Sequence, residues 1–167
     1  MIRLAKASDL PAVHAVELSA ATLFVGTHMD FAANHAPNVP PDLLTAIARQ
    51  LMWVAVTNAE VIGFVFAEPT PDGLYIRELA VAAAAQRQGH GKSLMATTIA
   101  TARQRGDPRL LLTTDRTLAW NGPFYTRLGF RITEGDAIPP EAQRRLAGQY
   151  AAGFDPAHRC AMVMDLG

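Results

Sequence analysis

The stretch from Gly73 to Arg105, GLYIRELAVAAAAQRQGHGKSLMATTIATARQR, constrains more of this chain's fold than any other. An apolar, strand-like run ends in a short turn with glycines at 89 and 91, and a helix-periodic segment follows at once. Leu94, Met95, Thr98, Ile99 and Ala102 fall on one side of that helix. A strand that enters a glycine turn and leaves as a helix presents free backbone N–H groups at the helix's positive end. Such a turn attracts phosphate without needing a particular side chain.

The flanking sequence supplies a sheet and helices to hold that turn. Ile2-Arg3-Leu4 alternates as a first strand, and Ser8-Asp9-Leu10-Pro11 reads as a helix start capped by Ser8 or Asp9, with Val13, Val16 and Glu17 to Leu18 as its stripe. From Ala20 to Pro41 no period holds, and a connection this long is functional or mobile in a compact domain. Asp42 to Gln50 predicts a second helix facing inward through Leu43, Leu44 and Ile47. Met52 to Thr57 and Val61 to Glu68 predict a hairpin about Asn58-Ala59-Glu60, and Pro69 to Gly73 a turn before the strand Leu74 to Val81. Leu110 to Thr114 then makes a buried strand, parallel to the one before the helix because a crossover connects them. Asn121 caps a short helix with Pro123 in its first turn, ending at Gly129. Phe130 to Thr133 and Arg159 to Leu166 are strands around an insertion, 134–158, that carries a helix from Pro140 to Gly153. The sum is a mixed α/β sheet in one domain, residues 1–167.

Charge and cysteine usage narrow the function classes. Fifteen Lys and Arg balance fifteen Asp and Glu, so no global field draws nucleic acid or an anionic membrane. The longest apolar run, Leu79 to Ala85, is too short to span a bilayer. Arg3, Lys6 and Asp9 leave no signal-peptide core, and the single Cys160 makes no internal disulfide, so the expected setting is cytoplasmic. The histidines at 14, 28, 35, 90 and 158 show no metal-ligand spacing, and no metal is expected.

Three phosphate-binding readings compete for the turn. Gly91-Lys92-Ser93 ends like a P-loop and Asp115 imitates its second acidic element, but the P-loop's first glycine would fall on Gln86. A dinucleotide fingerprint would need a small residue where Leu94 stands. The third reading fits: Gln86-Arg87-Gln88-Gly89-His90-Gly91 follows the strand Glu78-Leu79-Ala80-Val81, and Phe124-Tyr125-x-x-x-Gly129-Phe130 lies downstream. This ordered pair resembles the GCN5-related N-acetyltransferase (GNAT) superfamily, and the element order agrees from Ile2 to Leu166.

The resemblance implies a mixed central sheet of six to seven strands, flanked by helices, with its parallel pair splayed to admit acetyl-CoA as co-substrate. Leu79, Ala80 and Val81 would border the pantetheine arm. Gln86, Arg87, Gln88, Gly89, His90, Gly91, Lys92 and Ser93 would hold the pyrophosphate, and Phe124 would lie beside the cofactor. The family often has Asn seven and Ala four residues before the tyrosine, where this chain has Leu118 and Asn121. Asn121 is therefore read both as a cofactor contact and as a helix cap. Val81 N–H would be the oxyanion donor.

Glu78 has two readings, a base that deprotonates the acceptor amine and a carboxylate paired with Arg77 or another cation at the sheet edge. Tyr125 likewise reads as the acid that protonates the departing thiolate or as a core aromatic. Phe24, His28, Asp30 and Phe31 lie in the irregular segment that in this superfamily covers the acceptor, and Asp30 reads as an ammonium ligand or a solvated loop carboxylate. The expected reaction is acetyl transfer to a primary amine of a small molecule. A protein amino terminus or lysine is the alternative acceptor, and a non-catalytic acyl-CoA-binding module the alternative class. Arg144, Arg145, Tyr150 and Phe154 of the insertion read as pocket or dimer contacts, dimerisation being an expectation of the resemblance alone.

Overall fold

The computed structural model describes residues 1–34 and 37–167. Seven strands and five α-helices follow in the order β1 (Ile2–Leu4), α1 (Leu10–Ala21), α2 (Pro40–Ala48), β2 (Met52–Thr57), β3 (Glu60–Thr70), β4 (Gly73–Val81), α3 (His90–Arg105), β5 (Arg109–Asp115), α4 (Gly122–Leu128), β6 (Arg131–Thr133), α5 (Pro140–Ala151) and β7 (Arg159–Asp165). The strands form one mixed α/β sheet in the order β1-β2-β3-β4-β5-β7-β6, in which β4 and β5 are the parallel pair. Their register is Leu74 with Leu110 and Tyr75 with Leu111. The chain divides into two compact units, Met1–Glu68 with Arg77–Ile99, and Pro69–Ile76 with Ala100–Gly167.

In the first unit, alternation along two strands builds the core. Met52 pairs with Phe66 and Val54 with Phe64, so that all four point to the same side. They pack with Val13 and Val16 of α1, Leu43 and Ala46 of α2 and Ala80 of β4. Each fully buried large side chain contributes about 1.5–3 kcal/mol. Asn58 and Ala59 both take positive φ, 50° and 65°, the turn that matches the twist of a two-residue hairpin.

Several expected boundaries shift. The irregular segment contains 3-10 turns at Thr22–Phe24 and Asp30–Asn34. Asp9 does not cap α1 with its side chain; Arg3 and the Lys6 N–H take its carboxylate instead. Leu18 and Leu44 face outward, and Glu17 and Ala46 take inward places. The expected turn from Pro69 is strand as far as Thr70, whose hydroxyl donates to the Gly73 carbonyl at 2.7 Å to close the turn.

The second unit is built on Tyr75, Leu111, Ala161 and Val163, which pack against Ala142 and Leu146 of α5. The inserted helix is therefore a layer of this unit's core, and Arg144 and Arg145 are both engaged with Glu141 on their own helix. Asn121 stands at the start of α4 without a side-chain cap, and Gly129 ends the helix at φ 105°, a conformation that a side chain disfavours.

Candidate active site

The glycine turn expected to hold phosphate is anchored at the end of β4. Ala82 N–H donates to the Ile62 carbonyl at 2.8 Å and Ala83 N–H to Ser19 Oγ at 2.9 Å, fixing the chain as it leaves the strand. Gln86 then folds back, its Nε2 donating to the Val81 carbonyl at 2.6 Å. Arg87 and Gly89 take φ of 61° and 86°. Reversal thus uses one residue with a side chain as well as the glycine expected from sequence. Ser93 N–H is bonded to the Gly89 carbonyl at 3.0 Å, so Ser93 has only its hydroxyl to offer a ligand there. The N–H groups just before it belong to the opening turn of a 16-residue helix and have no intrahelical acceptor. With exposed Arg87, Gln88 and Lys92 around it, this is an open, electropositive cradle.

Leu79, Ala80 and Val81 form the last part of β4, and Ala80 and Val81 are buried. Beside them stands Glu78. The Arg77–Glu78 pairing weighed from sequence is not formed: Arg77 reaches Glu68 at 3.1 Å and Asp42 at 3.3 Å, because successive side chains on a strand leave from opposite faces. Glu78 is met instead by Asn38, whose Nδ2 donates to Glu78 Oε2 and, at 2.5 Å, to Glu17 Oε1. Asn38 N–H also donates to Glu17 Oε1 at 3.0 Å. Burial above all, and then the neighbouring Glu17 carboxylate, push the Glu78 carboxyl up to about 7, against a smaller opposing pull from Asn38 and Arg77.

Tyr125 lies in the second unit, buried to 7% exposure, with its ring edge-on to Phe124 at 5.2 Å and to Phe130 at 5.7 Å. Its N–H bonds the Asn121 carbonyl at 3.1 Å, so Asn121 holds the first turn of α4 through its backbone. In the same unit Tyr75 and Thr113 share a hydrogen bond of 2.7 Å, Gln149 donates to Thr113 at 2.8 Å, and Arg159 donates to Gln149 at 2.8 Å while stacking on Phe154. Burial lowers the Arg159 pKa. Cys160 is buried, and desolvation raises its thiol away from nucleophilic use.

The other acceptor-side candidates are less gathered. Asp30 is exposed and accepts from Gly26 N–H at 2.8 Å, the geometry of a loop carboxylate. His28 is exposed and Phe31 43% exposed, while Phe24 is half-buried. The structure brings Asn38 and Glu17, rather than Asp30, to Glu78. Among the described residues no group of three or more His, Cys, Asp or Glu could hold a metal, and no helix is long and apolar enough to cross a membrane. His35 lies outside the described residues.

Residues 48–132, just over half of the chain, match the acetyltransferase (GNAT) domain family. The chain belongs to the GNAT family. Solved structures agree on the fold. N-acetylglutamate synthase from Neisseria gonorrhoeae, complexed with coenzyme A and N-acetyl-glutamate, is 21% identical with a TM-score of 0.73; the match covers 100% of this chain and 35% of that one. This GNAT chain thus spans about a third of that relative. The ribosomal-protein-S18-alanine N-acetyltransferase from Escherichia coli is 18% identical with a TM-score of 0.69, covering 100% and 94% of the two chains. The PaiA N-acetyltransferase from Thermoplasma acidophilum, in complex with coenzyme A, is 15% identical with a TM-score of 0.73, covering 99% and 98%.

The sequence alone missed Glu17 and Asn38. Glu17 did carry a signal, an acidic residue inside the apolar stripe of α1. Asn38 carried none, since nothing in Pro37-Asn38-Val39 marks it as a bridge.

Proposed function

We propose that this GNAT acetyltransferase moves the acetyl group of acetyl-CoA directly to a primary amine of a small molecule, and that residues 1–167 act as one domain in doing so. The observation that carries this reading is the Glu78 carboxyl, held near 7 by burial and Glu17, where a general base works best at neutral pH. Glu78 takes a proton from the acceptor ammonium, and the neutral amine attacks the thioester carbonyl. The C–N bond forms, the C–S bond breaks and Tyr125 gives the thiolate its proton, while the second proton leaves the nitrogen and restores Tyr125 through solvent. The turn from Gln86 to Lys92 holds the pyrophosphate through backbone N–H groups, and Val81 N–H stabilises the oxyanion. The small-molecule assignment is supported by Asn38, which brings the segment before α2 onto Glu78 and so covers this part of β4. Solved relatives of the same fold are named for an amino-acid product and for a ribosomal-protein alanine, so fold similarity leaves the acceptor to experiment.

The test is thiol release from acetyl-CoA with alkylamines, diamines, α-amino acids and a peptide with amino-terminal alanine. Faster turnover of a small amine than of the peptide is expected. Preference for the peptide overturns the acceptor class, and tight acetyl-CoA binding without thiol release in any arm overturns catalysis. Tyr125→Phe is expected to lower kcat by roughly 10² to 10⁴-fold. Unchanged turnover in that variant removes Tyr125 from the reaction.

A further inference from the structure

Glu17 sits on the core face of α1, beside Val13 and Val16, and only 8% of its surface is exposed. A carboxylate at such a place is costly unless its oxygens are satisfied. Its Oε1 has Asn38, but among the described residues its Oε2 is buried without a hydrogen-bond partner, and His14 Nδ1 lies 4.0 Å away. The second carboxylate on the same asparagine is Glu78. Among the described residues the nearby charges are turned elsewhere: on β4, Arg77 reaches Glu68 of β3 and Asp42 of α2, and on α1 His14 stands at the surface. Two like charges bridged by one neutral amide in a desolvated place are most stable with a proton between them.

We propose that Glu17 is a positioning residue: tied to Glu78 through Asn38, it shares the proton that Glu78 takes from the acceptor ammonium. This rests on the reading of Glu78 as the base. The proton leaves nitrogen, resides on the carboxylate pair while the amine attacks, and passes to water afterwards. Glu17 touches no reacting atom in this scheme. Asn38 donates to both carboxylates and so holds them side by side.

The experiment follows the side-chain carboxyl signals of ¹³C-glutamate-labelled protein from about pH 4 to about pH 9, with the Glu78 signal assigned by its absence in Glu78→Gln. Glu17→Gln keeps the shape of the side chain and an oxygen to accept from Asn38, removes its charge and replaces the second oxygen with an N–H donor. In it the Glu78 midpoint is expected to fall by about one unit or more towards the ordinary carboxylate range. Asn38→Ala is the second variant; removing a hydrogen bond to the ionised form is expected to raise the midpoint. A folded Glu17→Gln protein whose Glu78 midpoint stays where it was overturns the proposal, whatever Glu78 does in catalysis. A midpoint that falls as expected, with Glu78→Gln still releasing thiol at the wild-type rate from the same amine panel, instead overturns the base reading and with it the catalytic part of Glu17's role. A falling midpoint together with an inactive Glu78→Gln supports both.

Discussion

The first unit holds two carboxylates in opposite company, buried Asp9 before α1 and half-buried Glu78 on β4. Asp9 receives a two-pronged grip from Arg3, at 2.8 and 2.9 Å, and a third hydrogen bond from Lys6 N–H. Its pKa is held below the usual carboxylate value by Arg3 first, against the opposing effect of burial. Glu78 has the arginine next to it in sequence turned elsewhere, and its near neighbours are an amide and another carboxylate. One arrangement makes a structural anchor, ionised at every physiological pH. The other withholds a counter-charge and leaves a group that can take up a proton and release it near neutrality, at a cost to folding stability.

The largest effect that can break this comparison is on rate. Glu78→Gln is expected to lower kcat/KM for the preferred amine by roughly 10² to 10⁴-fold, measured as thiol release from acetyl-CoA. The wild-type profile of kcat/KM is expected to rise through an acid limb near pH 7, where Glu78 ionises. Wild-type turnover in the glutamine variant would make Glu78 a structural carboxylate like any other.

The next effect is on stability, and the two residues differ in sign. Asp9 has a lowered folded pKa, so its contribution is present above the unfolded value of about 4 and is lost as pH falls through the folded value. Asp9→Asn is therefore expected to cost about 1–2 kcal/mol at pH 7, with the gap to wild type closing in acid. Glu78 has a raised folded pKa, so wild-type stability declines as pH rises from the unfolded value towards about 7. Glu78→Gln is expected to be more stable than wild type above that range, by about 1 kcal/mol after allowance for its partial exposure. Urea unfolding at several pH values checks both. Parallel pH dependence in the two variants would erase the distinction.

The difference between these carboxylates is only half legible in the sequence, and the reason is geometric. The strand β2 and the run from β4 through α3 can be drawn nearly to the residue, because alternation, glycines and helical period are local signals. The glycine turn from Gln86 to Gly91 is legible for the same reason, since its glycines and the helix that follows are local signals. Left-handed Arg87 is not, because no local rule assigns that conformation to arginine. The cluster at Glu78 joins residues 21 and 40 positions apart through one asparagine, and pairing over such separations is decided by packing. Asp9 reads as a cap because its neighbours look like a helix start. Only the fold shows that Arg3, on the adjoining strand, reaches it first.

The smallest effect gives the sharpest reading of the comparison, because it concerns the cation that Glu78 lacks. Arg77 is one residue away and 21% exposed at its side chain, and its partners Glu68 and Asp42 are 27% and 44% exposed. Pairs at such partly wet positions are worth at most about 1 kcal/mol, so Arg77→Gln is expected to leave folding nearly unchanged. Arg77 acts on Glu78 by charge alone and is the weakest of the influences on it. Its loss should therefore raise the acid limb of kcat/KM by a few tenths of a unit. A rise of a full unit or more would mean that Arg77 is the true counter-ion of Glu78, as Arg3 is of Asp9. The two carboxylates would then differ in degree, and the function of Glu78 would have to be sought in something other than the absence of a partner.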